Sequence, residues 1–206
     1  METVLTQTGV HMKTSLGARP VIYPTPVFAV GTYDAAGKPN VMAVAWGGIC
    51  CSKPPCLSIA LRKATYTYGN LVERKAFTVS IATSDQVAAV DYFGIASGRD
   101  VDKFEGAGVT PVRSQLVDAP YVDEFPLVLE CKVAHVAELG LHTLFVGEIL
   151  DVKIDESCLD ADGKPNAALL RPFMWTPGEN TYYGVGENLG RGFSVGKSLM
   201  PADSSL

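Results

Sequence analysis

The sequence predicts a mostly β fold: a barrel of antiparallel strands carrying a few short helices. Three observations predict it. Short apolar stretches at 26–34, 41–50, 56–62 and 76–82 are separated by Gly, Pro and Asn turns. Two longer stretches, 126–139 and 141–155, flank Gly140 and read as the arms of a long hairpin. Helical spacing occurs in only two or three short segments, too few for a parallel α/β sheet, which needs a helix after nearly every strand.

Each element has its own justification. "PVFAVGTYD" (26–34) and "VMAVAWGGIC" (41–50) are strands joined by the turn "AAGKPN", which makes a hairpin. "CLSIALR" (56–62) is a third strand. Pro54 and Pro55 before it lack N–H donors, so both are expected outside the ladder. Residues 67–74 suit a helix with Tyr68, Leu71 and Val72 on one face. "AFTVSIA" (76–82) returns as a strand. Ser84 or Asp85 caps a helix running to about Ala96, with Val87, Val90 and Phe93 on one side, and Gly98 ends it. In "PLVLECKVAHVAEL" (126–139), Leu127, Leu129, Cys131 and Val133 share one face and Glu130 and Lys132 the other. The chain is expected to form a single domain over 1–206. Residues 156–206 would be an irregular extension, with one short strand at Thr181–Val185, packing on the barrel or on a partner subunit.

Composition excludes several function classes. A net charge of −5 over 206 residues argues against nucleic acid as the main partner. No stretch is long and apolar enough to span a bilayer, and the N-terminus lacks a cationic region followed by an apolar block, so a cytoplasmic protein is expected. Five cysteines, an odd number without a secretory signal, point to free thiols. Cys50, Cys51 and Cys56 cluster without C-x-x-C spacing and read as small, mostly buried residues rather than a redox pair or metal site. No spacing of the three histidines resembles a zinc site.

Against this acidic background, "SIALRKATYTYGN" (58–70) collects two cations, Arg62 and Lys63, and three hydroxyls, Thr65, Tyr66 and Thr67, at a strand-to-helix corner. A helix N-terminus offers unpaired N–H groups and a partial positive charge, so phosphate is one reading and a solvated, Thr-capped helix start the other. Small residues along Met42, Ala43, Val44 and Ala45 would let a flat ring approach the backbone, with Trp46 at its border; the alternative is a core strand with a core Trp. Arg99 and Lys103 in "SGRDVDKFE" form either a surface turn or a cationic arm reaching the same anion. His142, at the start of a strand, is either a structural hydrogen-bonder or a proton donor to a bound ring.

These pieces, "NVMAVAW", "SKPPCLSIAL", "RKATYTYGNL", "AFTVSIA", "GIASGRDVDKFE", "LHTLFVGEI" and the closing "NLGRGFSVGKSL", occur in one order over most of residues 20–200. In this the sequence resembles the flavoredoxin and flavin reductase-like family, FMN-binding split β-barrels. The resemblance implies a homodimer with FMN near the subunit interface. It implies that the Arg62–Thr67 corner, with Lys63, Thr65 and Tyr66, holds the FMN phosphate. It also implies that Met42 to Trp46 and Ser52 border the ring and ribityl chain, and that Lys103 and His142 approach the cofactor. The expected activity is that of an FMN-dependent oxidoreductase taking electrons from NAD(P)H or a redox protein. An FMN-containing electron carrier without NAD(P)H turnover is the alternative. No catalytic protein nucleophile is expected, because the flavin does the chemistry. No G-x-G-x-x-G unit is present, so no separate nicotinamide-binding domain is expected. A barrel that binds another planar anion such as haem, with His135 or His142 as axial ligand, or that holds no cofactor at all, is a third reading.

Overall fold

The structure, a computed structural model, describes residues 12–200. In chain order, β1 is Thr25–Pro26, β2 Phe28–Tyr33, β3 Pro39–Val44, β4 Gly47–Ser52 and β5 Pro55–Arg62. Helix α1 (Tyr66–Arg74) and β6 (Ala76–Ile81) follow, then α2 (Val87–Ile95), α3 (Lys103–Ala107), β7 (Pro111–Arg113) and β8 (Pro120–Val122). The long hairpin is β9 (Leu127–Leu139) and β10 (His142–Ile154); α4 (Ala167–Leu170), β11 (Phe173–Thr176) and β12 (Thr181–Gly184) complete the chain.

Seven strands form one sheet in the order β3-β2-β6-β9-β10-β5-β4. Strands β3 and β4 are its two edges, yet only Ala45 and Trp46 separate them in sequence. A flat sheet would hold its edges several strand widths apart, at ~4.8 Å per strand. A two-residue connection therefore requires the sheet to curl into a barrel. The edges do not pair with one another, and a single backbone bond, Ala60 N–H to the Trp46 carbonyl at 2.8 Å, ties the connection to β5. The barrel is split along this seam. The predicted single strand 41–50 is thus two strands, broken where the chain crosses from one edge to the other. Gly47 makes the crossing feasible, since a Cβ there would sit 2.7 Å from the Ser58 carbonyl oxygen and 2.8 Å from the Phe28 ring. Pro55 corrects a second expectation: it opens β5 opposite Ser52, while Pro54 stays in the turn.

Alternation along β2 explains the two cores. Phe28 and Val30 point into the barrel with Leu57, Ile59, Leu61, Phe77, Val79 and Phe145. Val27 and Ala29 point outward, where α2 and α3 cover them with Val90, Phe93 and Phe104. A strand buried on both faces reads as a continuous apolar run, which is how 27–30 appears. In α1 Leu71 is buried and Tyr68 packs edge-on against Phe145, but Val72 is half exposed rather than on the buried face. The extension after 156 supplies two strands, not one. β11 pairs with β1 and β12 to form a second, three-stranded sheet.

Glu130 departs most from its expected place. It lies on the face opposite Leu129 and Cys131, but it is fully buried instead of solvated. Its carboxylate pairs with Lys153, which also bonds Asp151 at 2.7 Å, and it accepts the Leu116 N–H at 2.8 Å. Burial acts to raise its pKa, but the bonds from Lys153 and Leu116 outweigh it and hold the carboxyl below its usual value. Glu130 thereby fastens the 114–118 loop over the sheet. Glu130→Ala is expected to cost about 3–5 kcal/mol in denaturant unfolding, because Lys153 and an amide lose their partner. A lowered carboxyl stabilises the fold above its unfolded value near 4.5, and that contribution is lost as pH falls through the lower folded value. Glu130→Gln should flatten the acid limb of stability measured from pH 6 down to about pH 3.

Candidate functional site

Two cavities meet at the open seam. The first, about 240 Å³, is lined by Met42, the α1 start (Ala64 to Thr67), the end of α2 (Phe93, Gly94), the 96–99 loop and Lys103. The second, about 220 Å³, is lined by Met42 to Trp46, Ala60 to Arg62, Thr65, His142 and Trp175. Met42 and Thr65 border both. Each is smaller than a usual small-molecule site, but together they reach the typical range of ~300–1,000 Å³. A larger groove of about 580 Å³ lies between α4 and residues 184–188; its only cation, Arg171, is held by Asp85 at 2.7 Å.

The first cavity gathers hydrogen-bond donors and cations. Thr65 caps α1: its hydroxyl accepts the Tyr68 N–H at 3.3 Å and donates to the Arg62 carbonyl at 2.9 Å. Its side chain is therefore engaged in the fold, and the first-turn amides of α1 are what it leaves open, since they have no intrahelical acceptor. Thr67 is buried. Its oxygen accepts from Asn40 Nδ2 at 3.0 Å, which leaves its own proton free to donate. Arg99 lies 5.4 Å over the Tyr66 ring and donates to the Ala64 carbonyl at 3.1 Å. Tyr66 is fixed by a 2.7 Å bond to Asp34; that bond lowers the Asp34 carboxyl and raises the Tyr66 phenol.

Lys103 completes the set. Only 5% of it is exposed, and its ammonium donates to the Phe93 carbonyl at 2.8 Å. Burial alone brings its pKa down to about 8. A buried cation with a carbonyl and no carboxylate partner among the described residues is an electrostatic cost that a bound anion would relieve.

The second cavity is flatter and more apolar. Trp46 and Trp175 meet edge to face with ring centroids 6.0 Å apart, so the small sheet walls the cleft. Arg62 and His142 are register partners across β5 and β10 and stand at its polar end. The expected phosphate corner is thus divided: Tyr66, Thr67 and Lys103 lie in the first cavity, Arg62 and His142 with Met42, Ala43, Val44, Ala45 and Trp46 in the second, and Thr65 between them. Two expected residues are not brought to either. Lys63 is exposed and pairs with Glu138 at 2.6 Å, and Ser52 is exposed at the far end of β4. His135 lies away from the seam, in a groove beside Leu71 and Phe145.

Sequence reasoning missed Asn40, Gly98 and Trp175. Asn40 alternates with Met42 on one strand face, a polar residue in an apolar run, and that was its available signal. Its Oδ1 is buried without a partner. Gly98 packs against it so closely that a Cβ would meet the Asn40 amide and lie 2.8 Å from the Tyr66 ring. Trp175 carried no signal, since its contact with Trp46 spans most of the chain.

Comparison with known proteins decides the family. The model of the flavin reductase-like domain matches residues 20–179. The chain belongs to the flavin reductase-like family. Its fold superposes on flavoredoxin of Desulfovibrio vulgaris (Miyazaki F) with a TM-score of 0.86 and 54% identity, over 90% of this chain and 100% of that one. Flavoredoxin from Methanosarcina acetivorans gives 0.86 at 34% identity, over 92% of this chain and 100% of that one. An uncharacterised protein of Archaeoglobus fulgidus is 34% identical over 70% of this chain and 80% of its own length. A split β-barrel with few short helices is therefore the fold class, as the sequence predicts.

Gly98→Ala is expected to displace Asn40 and Tyr66 and distort the first cavity. Stability should fall by about 1–3 kcal/mol, read as a shift in the urea midpoint. A Gly163→Ala control is unsuited because of its positive φ, whereas Gly48→Ala, with open space and ordinary φ, should shift the midpoint little.

Proposed function

We propose that this chain is an FMN-dependent oxidoreductase taking electrons from NAD(P)H or a redox protein. One observation carries the reading: an anion cavity with an unpaired buried lysine opens, past Met42 and Thr65, into an apolar cleft walled by two tryptophans. That shape fits a molecule with a phosphate at one end and a flat ring at the other. Bound FMN would supply hydride and electron chemistry. The protein's own residues bind and orient it. The α1 amides, Thr67, Arg99 and Lys103 hold the phosphate; Met42 to Trp46 and Trp175 confine the ring; Arg62 and His142 offer hydrogen bonds at the polar end of the cleft. The unpaired outer edges of β3 and β4 add backbone donors and acceptors at the seam.

The active unit is proposed to be a homodimer. Residues 185–200 extend from the body with Leu189, Phe193 and Leu199 almost fully exposed, a face that a second copy would cover. The single-domain reading and a cytoplasmic location accompany this proposal. No described helix is long and apolar enough to cross a membrane.

An absorbance spectrum of the purified protein, taken before and after FMN and then NADPH under argon, tests the reading. Uptake of flavin bands that bleach with NADPH alone is expected. Bands that bleach only with dithionite would make the protein a carrier, and failure to take up FMN would remove the reading altogether.

Two variants check the assignment of residues. Thr67→Ala and Arg62→Ala should each weaken FMN binding by roughly tenfold or more, while Cys51→Ala leaves it unchanged. Affinity should also fall as pH rises through about 8, where Lys103 loses its proton in the empty site. Fluorescence titrations across that range should show the fall in wild type. In Lys103→Met they should show weaker binding whose pH dependence there is gone.

A further inference from the structure

The cysteine cluster is not buried as the sequence implies. Cys50 and Cys51 are exposed on β4, and Cys56 is buried at the start of β5. Cys51 and Cys56 are register partners across the antiparallel pair. Directly paired antiparallel residues have Cα atoms about 4.5–5.5 Å apart. Disulfides form at Cα separations of about 4.4–6.8 Å. Cys50 stands outside this register, at the irregularity between Ile49 and Cys51. The turn Lys53–Pro54 joins the two strands just beyond this pair.

We propose that Cys51 and Cys56 are a redox-active dithiol that reduces soluble disulfides of the glutathione type, distinct from the seam cavities. The Cys51 thiolate attacks one sulfur of the soluble disulfide. That S–S bond breaks, one thiolate leaves, and a mixed disulfide forms on Cys51. The Cys56 thiol then gives its proton to solvent and attacks the Cys51 sulfur, releasing the second thiolate. Two electrons pass from the dithiol to the soluble disulfide, which leaves as two thiols, and an intramolecular S–S bond remains. Exposure makes Cys51 the member that meets the reagent. Burial, with Cys51, Cys50 and Glu148 nearby, pushes the Cys56 thiol up, so it acts second, when the adduct already sits beside it. Cys131, deeper still, is pushed up by burial to about 12 and takes no part.

The test uses reduced wild type, Cys50→Ser, Cys51→Ser and Cys56→Ser, each incubated with oxidised glutathione, quenched in acid and denatured. Free thiols are counted and intact masses recorded. Wild type should lose two of its five thiols with no glutathione retained. Cys50→Ser should close likewise. Cys51→Ser should form no internal bond, and Cys56→Ser should keep one glutathione on Cys51. Cys51 is exposed, so its serine variant is expected to fold and can decide the matter alone. The proposal is overturned if wild type retains all its thiols, if it stops at a glutathione adduct, or if Cys51→Ser closes an internal bond as wild type does.

Discussion

The two-residue connection from Val44 to Gly47 is the constraint on which the rest of the molecule depends. It joins opposite edges of a seven-stranded sheet, so the sheet has to curl. The same two residues cannot also zip the edges together, and a seam is left. Everything at the candidate site is arranged around that seam: Met42 and Ala43 come from one edge, Ala60 to Arg62 from beside the other, and Trp46 from the crossing itself. α1 follows β5 directly and delivers its capped N-terminus to the same place. Barrel closure and site formation are one geometric event.

The electrostatics follow from this placement. The chain is acidic overall, and several of its cations are neutralised locally: Lys63 by Glu138, Arg74 and Arg113 by Asp118, Lys153 by Glu130 and Asp151, Arg171 by Asp85. Among the described cations Lys103 is the one that is both buried and without a carboxylate partner. The contrast with Lys153 is instructive. Both are lysines brought close to the interior, but Lys153 meets two carboxylates and stays above the usual lysine value, whereas Lys103 meets one carbonyl and falls below it. The first arrangement holds a loop in place; the second leaves a charge for something else.

Much of this was legible in the sequence, for reasons tied to particular residues. The alternation of 126–139 and the turn at Gly140 are local signals, and they gave β9 and β10 almost to the residue. The hydroxyl and cation cluster at 62–67 is likewise local, and the helix it announces starts at Tyr66 behind a Thr65 cap, one residue ahead of the expected 67–74. What stayed hidden depends on distant contacts. A strand that crosses between edges has the same apolar composition as one that runs straight, so 41–50 read as a single strand. Glu130 looked solvent-facing because the loop that covers it enters from residues 114–118. Trp175 meets Trp46 only because β11 docks on β1, a pairing that no nearby periodicity announces. The division of the phosphate corner into two cavities was hidden too, since neighbours in sequence such as Arg62 and Thr67 turn to different sides of the α1 start.

The buried ammonium of Lys103 ties the life of the protein to what fills its cavity. A ligand that binds only the folded state adds stability with concentration, about 2.7 kcal/mol at a hundred times its dissociation constant. With no anion beside it, the Lys103 ammonium is an interior charge met by one carbonyl, a cost to the folded state of the segment from α2 to α3. Proteases draw on locally open forms in proportion to their population. On the proposed reading, an anion bound beside Lys103 would therefore shield this segment from proteases as well as stabilise the fold.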